Sequence, residues 1–222
     1  MKRWTPLLFS AALVVPAPAF AQDPVKVDGG HYNVVLDNPS VRVLKVDHPA
    51  GGKSPMHDHP DAIIVALSAA KVRFTLPDGK SEESSLANDS AMYTPAGKHS
   101  PANIGTSAVS ALVIEFKGAA PGKAALPAAR AGLATKVLAE GPRGSASRTT
   151  AAPTFHEPAG STHDFDQVVI ALGPMQMSLA IDGKPARTSW VRGDVAFIGR
   201  GVPHEAKNTS GKPADFIIIA VK

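Results

Sequence analysis

The chain has 222 residues, with 23 Lys and Arg against 19 Asp and Glu and no cysteine. That length suits one large domain or two small ones, and the lack of cysteine excludes disulfides and cysteine-linked lipid. A formal charge of only +4, with no basic cluster interleaved with aromatics, excludes a nucleic-acid surface.

The first stretch, MKRWTPLLFSAALVVPAPAFA, has a basic start at Lys2 and Arg3, an apolar run from Trp4 to Val15, and small residues at Ala19 and Ala21. This is the pattern of a secretory signal over residues 1–21, cut before Gln22. Pro6 and Pro16 break a run already too short to span a bilayer. The expected location is periplasmic or secreted, with no membrane contact after cleavage. Stability must then come from burial, hydrogen bonds or a metal.

Along the mature chain the segments DAIIVAL, KVRFTL, SALVIEF, QVVIAL and DFIIIAV are short, apolar and β-branched, with Gly, Pro, Asn and Asp between them. They predict strands joined by turns, and no segment carries a long helical period. The expected class is all-β. The second half also repeats the first in order. HPAG (His48 to Gly51) matches EPAG (Glu157 to Gly160), and HDHPDAIIVAL matches HDFDQVVIAL. PDGK (Pro77 to Lys80) matches IDGK (Ile181 to Lys184), and TPAGKHSPAN (Thr94 to Asn103) matches IGRGVPHEAKN (Ile198 to Asn208). Four matches in register predict two similar lobes, residues 25–118 and 134–222. Each Asp-Gly pair marks a hairpin turn. Residues 119–133, rich in Ala, Gly and Pro, read as a linker with at most a turn of helix after Pro127.

Chemistry concentrates on histidine. On a strand, His57 and His59 point to one face while Asp58 points away. His99 follows a turn marked by Pro95 and Gly97, which aims it inward from a neighbouring strand. Three imidazoles suit a divalent transition metal, whether iron, zinc, manganese, nickel or copper. In the second lobe His163 and His204 take the places of His57 and His99, and Phe165 takes that of His59. Two imidazoles make a weak, degenerate site, with Glu157, Asp166 and Gln167 as the available substitutes. His31, His48 and His156 lack partners at ligand spacing, and His48 is expected near the barrel mouth. Tyr93 and Trp190 are expected to pack the barrels. No nucleophile elbow or phosphate loop is present.

These motifs resemble the cupin superfamily. Its first motif, G-(x)5-H-x-H-(x)3-4-E-(x)6-G, is matched by Gly51, His57 and His59. Its second, G-(x)5-P-x-G-(x)2-H-(x)3-N, is matched by Pro95, Gly97, His99 and Asn103 with one residue missing. In the second lobe Gly193, Gly201, His204 and Asn208 match that motif, with Gly199 replacing proline. The resemblance implies two tandem jelly-roll (cupin) β-barrels, a metal near the centre of the first, a small-molecule ligand or substrate, and pairing into a homodimer. Where the family has glutamate, this chain has Ile63 or Ile64. Asp61 is the nearest acid, and it adds a fourth ligand only if the strand stays regular across Pro60. The reading is a small-molecule metalloenzyme of oxygenase or isomerase type, with catalytic residues beyond the metal ligands unassigned. Its alternative is a non-catalytic binding module with a structural metal or none.

Overall fold

The computed structural model describes residues 22–118 and 130–222; the expected signal segment and residues 119–129 of the expected linker lie outside them. One helical turn, α1 (Pro24–Val27), precedes the strands, and Asp23 caps it by accepting from the Val25 amide. In the first lobe the strands are β1 (Tyr32–Asp37), β2 (Val41–His48), β3 (His57–His59), β4 (Ala62–Ala66) and β5 (Ala70–Thr75). They continue with β6 (Ser81–Leu86), β7 (Ala91–Thr94), β8 (Gly97–Asn103) and β9 (Val109–Phe116).

The second lobe repeats them as β10 (Leu133–Gly141), β11 (Gly144–Ala151), β12 (His156–Ser161), β13 (Asp166–Ala171) and β14 (Met175–Ile181). The last four are β15 (Lys184–Trp190), β16 (Val195–Ile198), β17 (His204–Asn208) and β18 (Ala214–Val221). A five-stranded sheet ordered β1-β2-β9-β4-β7 faces a four-stranded sheet ordered β3-β8-β5-β6. The corresponding orders in the second lobe are β10-β11-β18-β13-β16 and β12-β17-β14-β15. Strand for strand the two orders are the same, so the fold is two tandem jelly-roll barrels. Even the irregularities match: β1 bulges between Val34 and Leu36, and β10 between Val137 and Ala139.

The expected hairpins form, by different turns. Asp182 and Gly183 both have positive φ, the primed turn that suits strand twist. In the corresponding first-lobe turn, residues 77–79, only Gly79 has positive φ, because Pro77 at the start of the turn holds its own φ negative.

The continuous apolar runs have a physical cause. The inner strands β9, β4, β18 and β13 of the five-stranded sheets are buried on both faces, so alternation disappears. Val41, Val43, Ile63, Val65, Leu112 and Ile114 point out of the first barrel and pack against Val168, Ile170, Ile217 and Ile219 of the second. The two lobes therefore share one core, to which each fully buried Val or Ile contributes roughly 2 kcal/mol. Arg192 ties the lobes further, donating to the Leu67 carbonyl at 2.9 Å and to Asn88 at 2.7 Å.

The alternate residues of the same strands face the barrel interiors, and here the lobes diverge. Register places Ala70 opposite Leu86 in the first lobe, where the second has Met175 opposite Trp190. Those larger side chains join Met177, Leu179 and Phe216 in a filled core. The first barrel keeps a cavity of about 90 Å³ and the second one of about 40 Å³.

Candidate metal centre

Register brings the first-lobe histidines together. β3 pairs antiparallel with β8, so His57 stands opposite His99 and His59 opposite Gly97. The His99 ring lies 5.2 Å from the His57 ring and 4.6 Å from the His59 ring, and Phe74 packs against it at 4.8 Å. All three imidazoles line the larger cavity.

Their protonation suits metal binding. His57 Nδ1 donates to the Pro55 carbonyl at 3.0 Å and His59 Nδ1 to the Pro60 carbonyl at 2.8 Å. Each carbonyl fixes the tautomer that leaves Nε2 with a free lone pair, the usual support for a ligating imidazole. Burial pushes His57 below its ordinary value, and burial with the two neighbouring imidazoles pushes His99 down to about 3. Burial thus favours the neutral, ligating form of His57 and His99, and a set of three imidazoles fits a borderline divalent ion. The trio is nonetheless open. Among the described residues, the groups whose three ligand atoms fall within 4.8 Å of one another are Asp28, His31 and His48, and Glu157, His163 and His204.

Asp61 is directed elsewhere. Its Oδ1 accepts from the Ala96 amide at 2.8 Å, holding the turn that precedes β8. Asp166 does the same for the Arg200 amide at 2.7 Å in the second lobe. The two isoleucines at the family's glutamate position also separate: Ile64 lines the cavity, while Ile63 lies in the core between the lobes. Among the described residues no lysine or arginine lines the first-lobe cavity; its walls are mainly Leu44, Val46, Val72, Phe74, Leu86 and Val113. Among them Glu115 is its one carboxylate, 2% exposed, with Oε2 bonded to Arg42 Nε at 2.5 Å and Oε1 without a partner.

One grouping has no counterpart in the sequence expectations. His31 and His48 do have a partner at ligand spacing, which corrects the expectation that they stand alone. His31 Nδ1 lies 2.8 Å from Asp28 Oδ1, Ser54 Oγ bonds both His48 Nε2 and Asp28, and the two imidazoles are 4.6 Å apart. His48 is buried and lines the cavity, as expected of a residue near the barrel mouth. The match of HPAG with EPAG does not hold in the structure: His48 ends β2, where the second lobe has Ala151, while Glu157 lies on β12. His156 is a surface residue paired with Glu205 at 2.9 Å.

In the second lobe His163 and His204 meet with rings 4.6 Å apart, and Glu157 joins them. Of the other substitutes, Asp166 is held by its turn, and Gln167 is buried in the cavity wall with Oε1 unpartnered. Phe165 stacks on His163 at 5.2 Å and packs against Ala220. Arg130, assigned by sequence to the linker, reaches in and donates to Glu157.

No protein-family model matches the sequence, and no curated protein matches it. Solved structures do. The chain is similar to a cupin 2 conserved barrel domain protein from Leptotrichia buccalis (TM-score 0.55, 12% identity, 86% of this chain and 88% of that one). It is similar to salicylate 1,2-dioxygenase from Pseudaminobacter salicylatoxidans (TM-score 0.59, 11% identity, 82% and 71%). Oxalate decarboxylase from Lactobacillus farciminis gives a TM-score of 0.60 at 12% identity over 82% and 77%. The chain has the bicupin fold. Identities this low establish the architecture, and the bicupin's chemistry has to be argued from its own side chains.

Proposed function

We propose that this bicupin is an exported metalloprotein that holds one divalent transition metal in its first lobe through His57, His59 and His99, and that acts there on a small molecule. The observation that carries the reading is the convergence of three imidazoles, two of them tautomerically fixed, on the wall of an apolar cavity. A bound ion would supply Lewis acidity toward a ligand oxygen, with positions left for that ligand.

The chain's own part is to bind and shield. Val72, Phe74, Leu86 and Val113 keep the reacting space dry, and the Pro55 and Pro60 carbonyls hold the ligating rings in orientation. An oxygenase or isomerase is the reaction class that suits such a site. That the dioxygenase and the decarboxylase named above share the architecture supports a catalytic use. Export rests on the charged start and apolar run of residues 1–21.

The openness of the histidine trio favours a second reading, a binding module without catalysis. Cobalt(II) loading followed by azide separates the two. A visible spectrum that shifts on azide addition in the parent, and not in His57→Ala, supports an open site; an unchanged spectrum supports the module.

A further inference from the structure

The second barrel, with Phe165 in place of a third histidine, has the composition of a lost site, yet its interior is arranged around a positive charge. Glu157 on β12 directs its two oxygens at two imidazoles: Oε1 lies 3.6 Å from His163 Nε2 and Oε2 lies 3.4 Å from His204 Nε2. Donor atoms around a tetrahedral zinc-like ion, with bonds of roughly 2.0–2.1 Å, stand roughly 3.4 Å apart. One carboxylate and two imidazoles are also a sufficient protein set for such an ion. His204 is prepared as a ligand: its Nδ1 is bonded to the Val202 carbonyl at 3.1 Å, and its Nε2 is fully buried with no aligned hydrogen-bond partner.

Arg130 is the cation that meets this set. Its Nη1 donates to Glu157 Oε1, and its Nη2 lies 3.0 Å from His163 Nδ1 and 3.2 Å from Nε2. Near-equal distances to both ring nitrogens place that amino group over the face of the imidazole rather than in line with one lone pair. Phe165 stacks nearly parallel on the ring, 8° from coplanar. The guanidinium thus holds the carboxylate and one imidazole that an ion would need, and a second cation beside it would meet direct repulsion.

We propose that the second lobe carries a latent divalent-metal site, Glu157, His163 and His204, that the chain's own Arg130 holds shut. The metal it takes is a zinc-like ion that accepts mixed nitrogen and carboxylate donors. Phe165 packs the ligating ring and leaves the site three protein ligands.

The test counts cobalt(II) by equilibrium dialysis, both in the full chain and in a His31→Ala, His57→Ala, His99→Ala background that disrupts both first-lobe groupings. The expected result is that Arg130→Gln raises stoichiometry by one ion per chain in both, with a tetrahedral visible spectrum, and that adding His204→Ala abolishes the gain. Arg130 is partly exposed, and Arg130→Ala serves as a second variant, with circular dichroism reporting the fold. The proposal is overturned if neither variant gains metal, if the gained ion survives His204→Ala, or if the background already binds it with Arg130 intact. Because the first-lobe ligands are absent from the background, these outcomes do not depend on what the first lobe binds.

Discussion

Asp61 Oδ1 accepts a hydrogen bond from the Ala96 amide, 35 residues later, and so fixes the turn that delivers His99 to His57. Asp61 thereby serves the site by shaping backbone. Asp61→Ala should cost about 1 kcal/mol of stability and leave metal stoichiometry unchanged at saturating metal. Denaturant melts with metal analysis on the same samples check this; loss of the metal with the fold intact would make Asp61 a ligand.

The shared core between the lobes depends on two glycines. A Cβ at Gly141 would lie 2.3 Å from Tyr93 Cδ2, and one at Gly144 would lie 2.6 Å from Phe116 Cζ and 3.0 Å from the Ala220 carbonyl oxygen. At Gly141 the added carbon would also meet Tyr93 Cγ, the root of the ring, which ring rotation cannot move, whereas at Gly144 the first atom met is the far end of Phe116. Gly141→Ala should therefore destabilise more than Gly144→Ala, each by about 1–3 kcal/mol. Urea unfolding midpoints of the two variants decide the order.

Glu115 lies in the first barrel's wall with Arg42 as its counter-charge, and Arg42 in turn reaches Asp23 at 2.5 Å. Removing the cation leaves a buried carboxylate uncompensated. Arg42→Met should cost about 3 kcal/mol, and Arg42→Met with Glu115→Leu should recover most of it. If the double variant is no more stable than the single one, the pair does more than neutralise buried charge.

Acid should destabilise the metal-free protein. Burial pushes His99 down to about 3, and burial with the Arg130 charge pushes His163 down to about 4. Unfolded imidazoles titrate near ~6.5. Between roughly pH 6.5 and 4 the unfolded chain binds more protons, so stability falls as pH falls, by up to about 1.4 kcal/mol per pH unit for each proton. His204 runs the other way: although burial lowers it, Glu157 raises it further, and its contribution is present below ~6.5 and is lost as pH rises. Because the depressed histidines outnumber it, Tm should fall between pH 7 and 5. A flat or rising Tm would contradict the buried, neutral state of His99 and His163.

Much of this was legible from residue order. His57, His59 and His99 could be grouped because strand periodicity and the Pro95 turn each act over a few residues. The duplicated barrels could be read from three short matches in register; the fourth, HPAG with EPAG, pairs the end of β2 with β12. The division of labour between Ile63 and Ile64 could not, since both faces of β4 are buried and alternation carries no sign of which face meets the cavity. Arg130 was hidden by its surroundings, an alanine-rich stretch that has every mark of a linker. The Asp28, His31 and His48 grouping depends on α1 and the start of β1 folding against the end of β2, a tertiary contact with no local signature.

At equivalent points before their first long strands, Asp28 enters one barrel toward His48 and Arg130 enters the other toward Glu157. A cation thus stands against the second lobe's candidate ligands, and among the described residues none lines the first-lobe cavity. This adds to the three histidines as a reason to propose the ion for the first lobe.

That assignment is tested most directly by elemental analysis of the mature protein beside a His57→Ala, His59→Ala double variant. The account predicts near-stoichiometric transition metal in the parent and loss of it in the variant, with both chains folded. Equal metal in the two proteins, or none in either after metal is supplied, would contradict it.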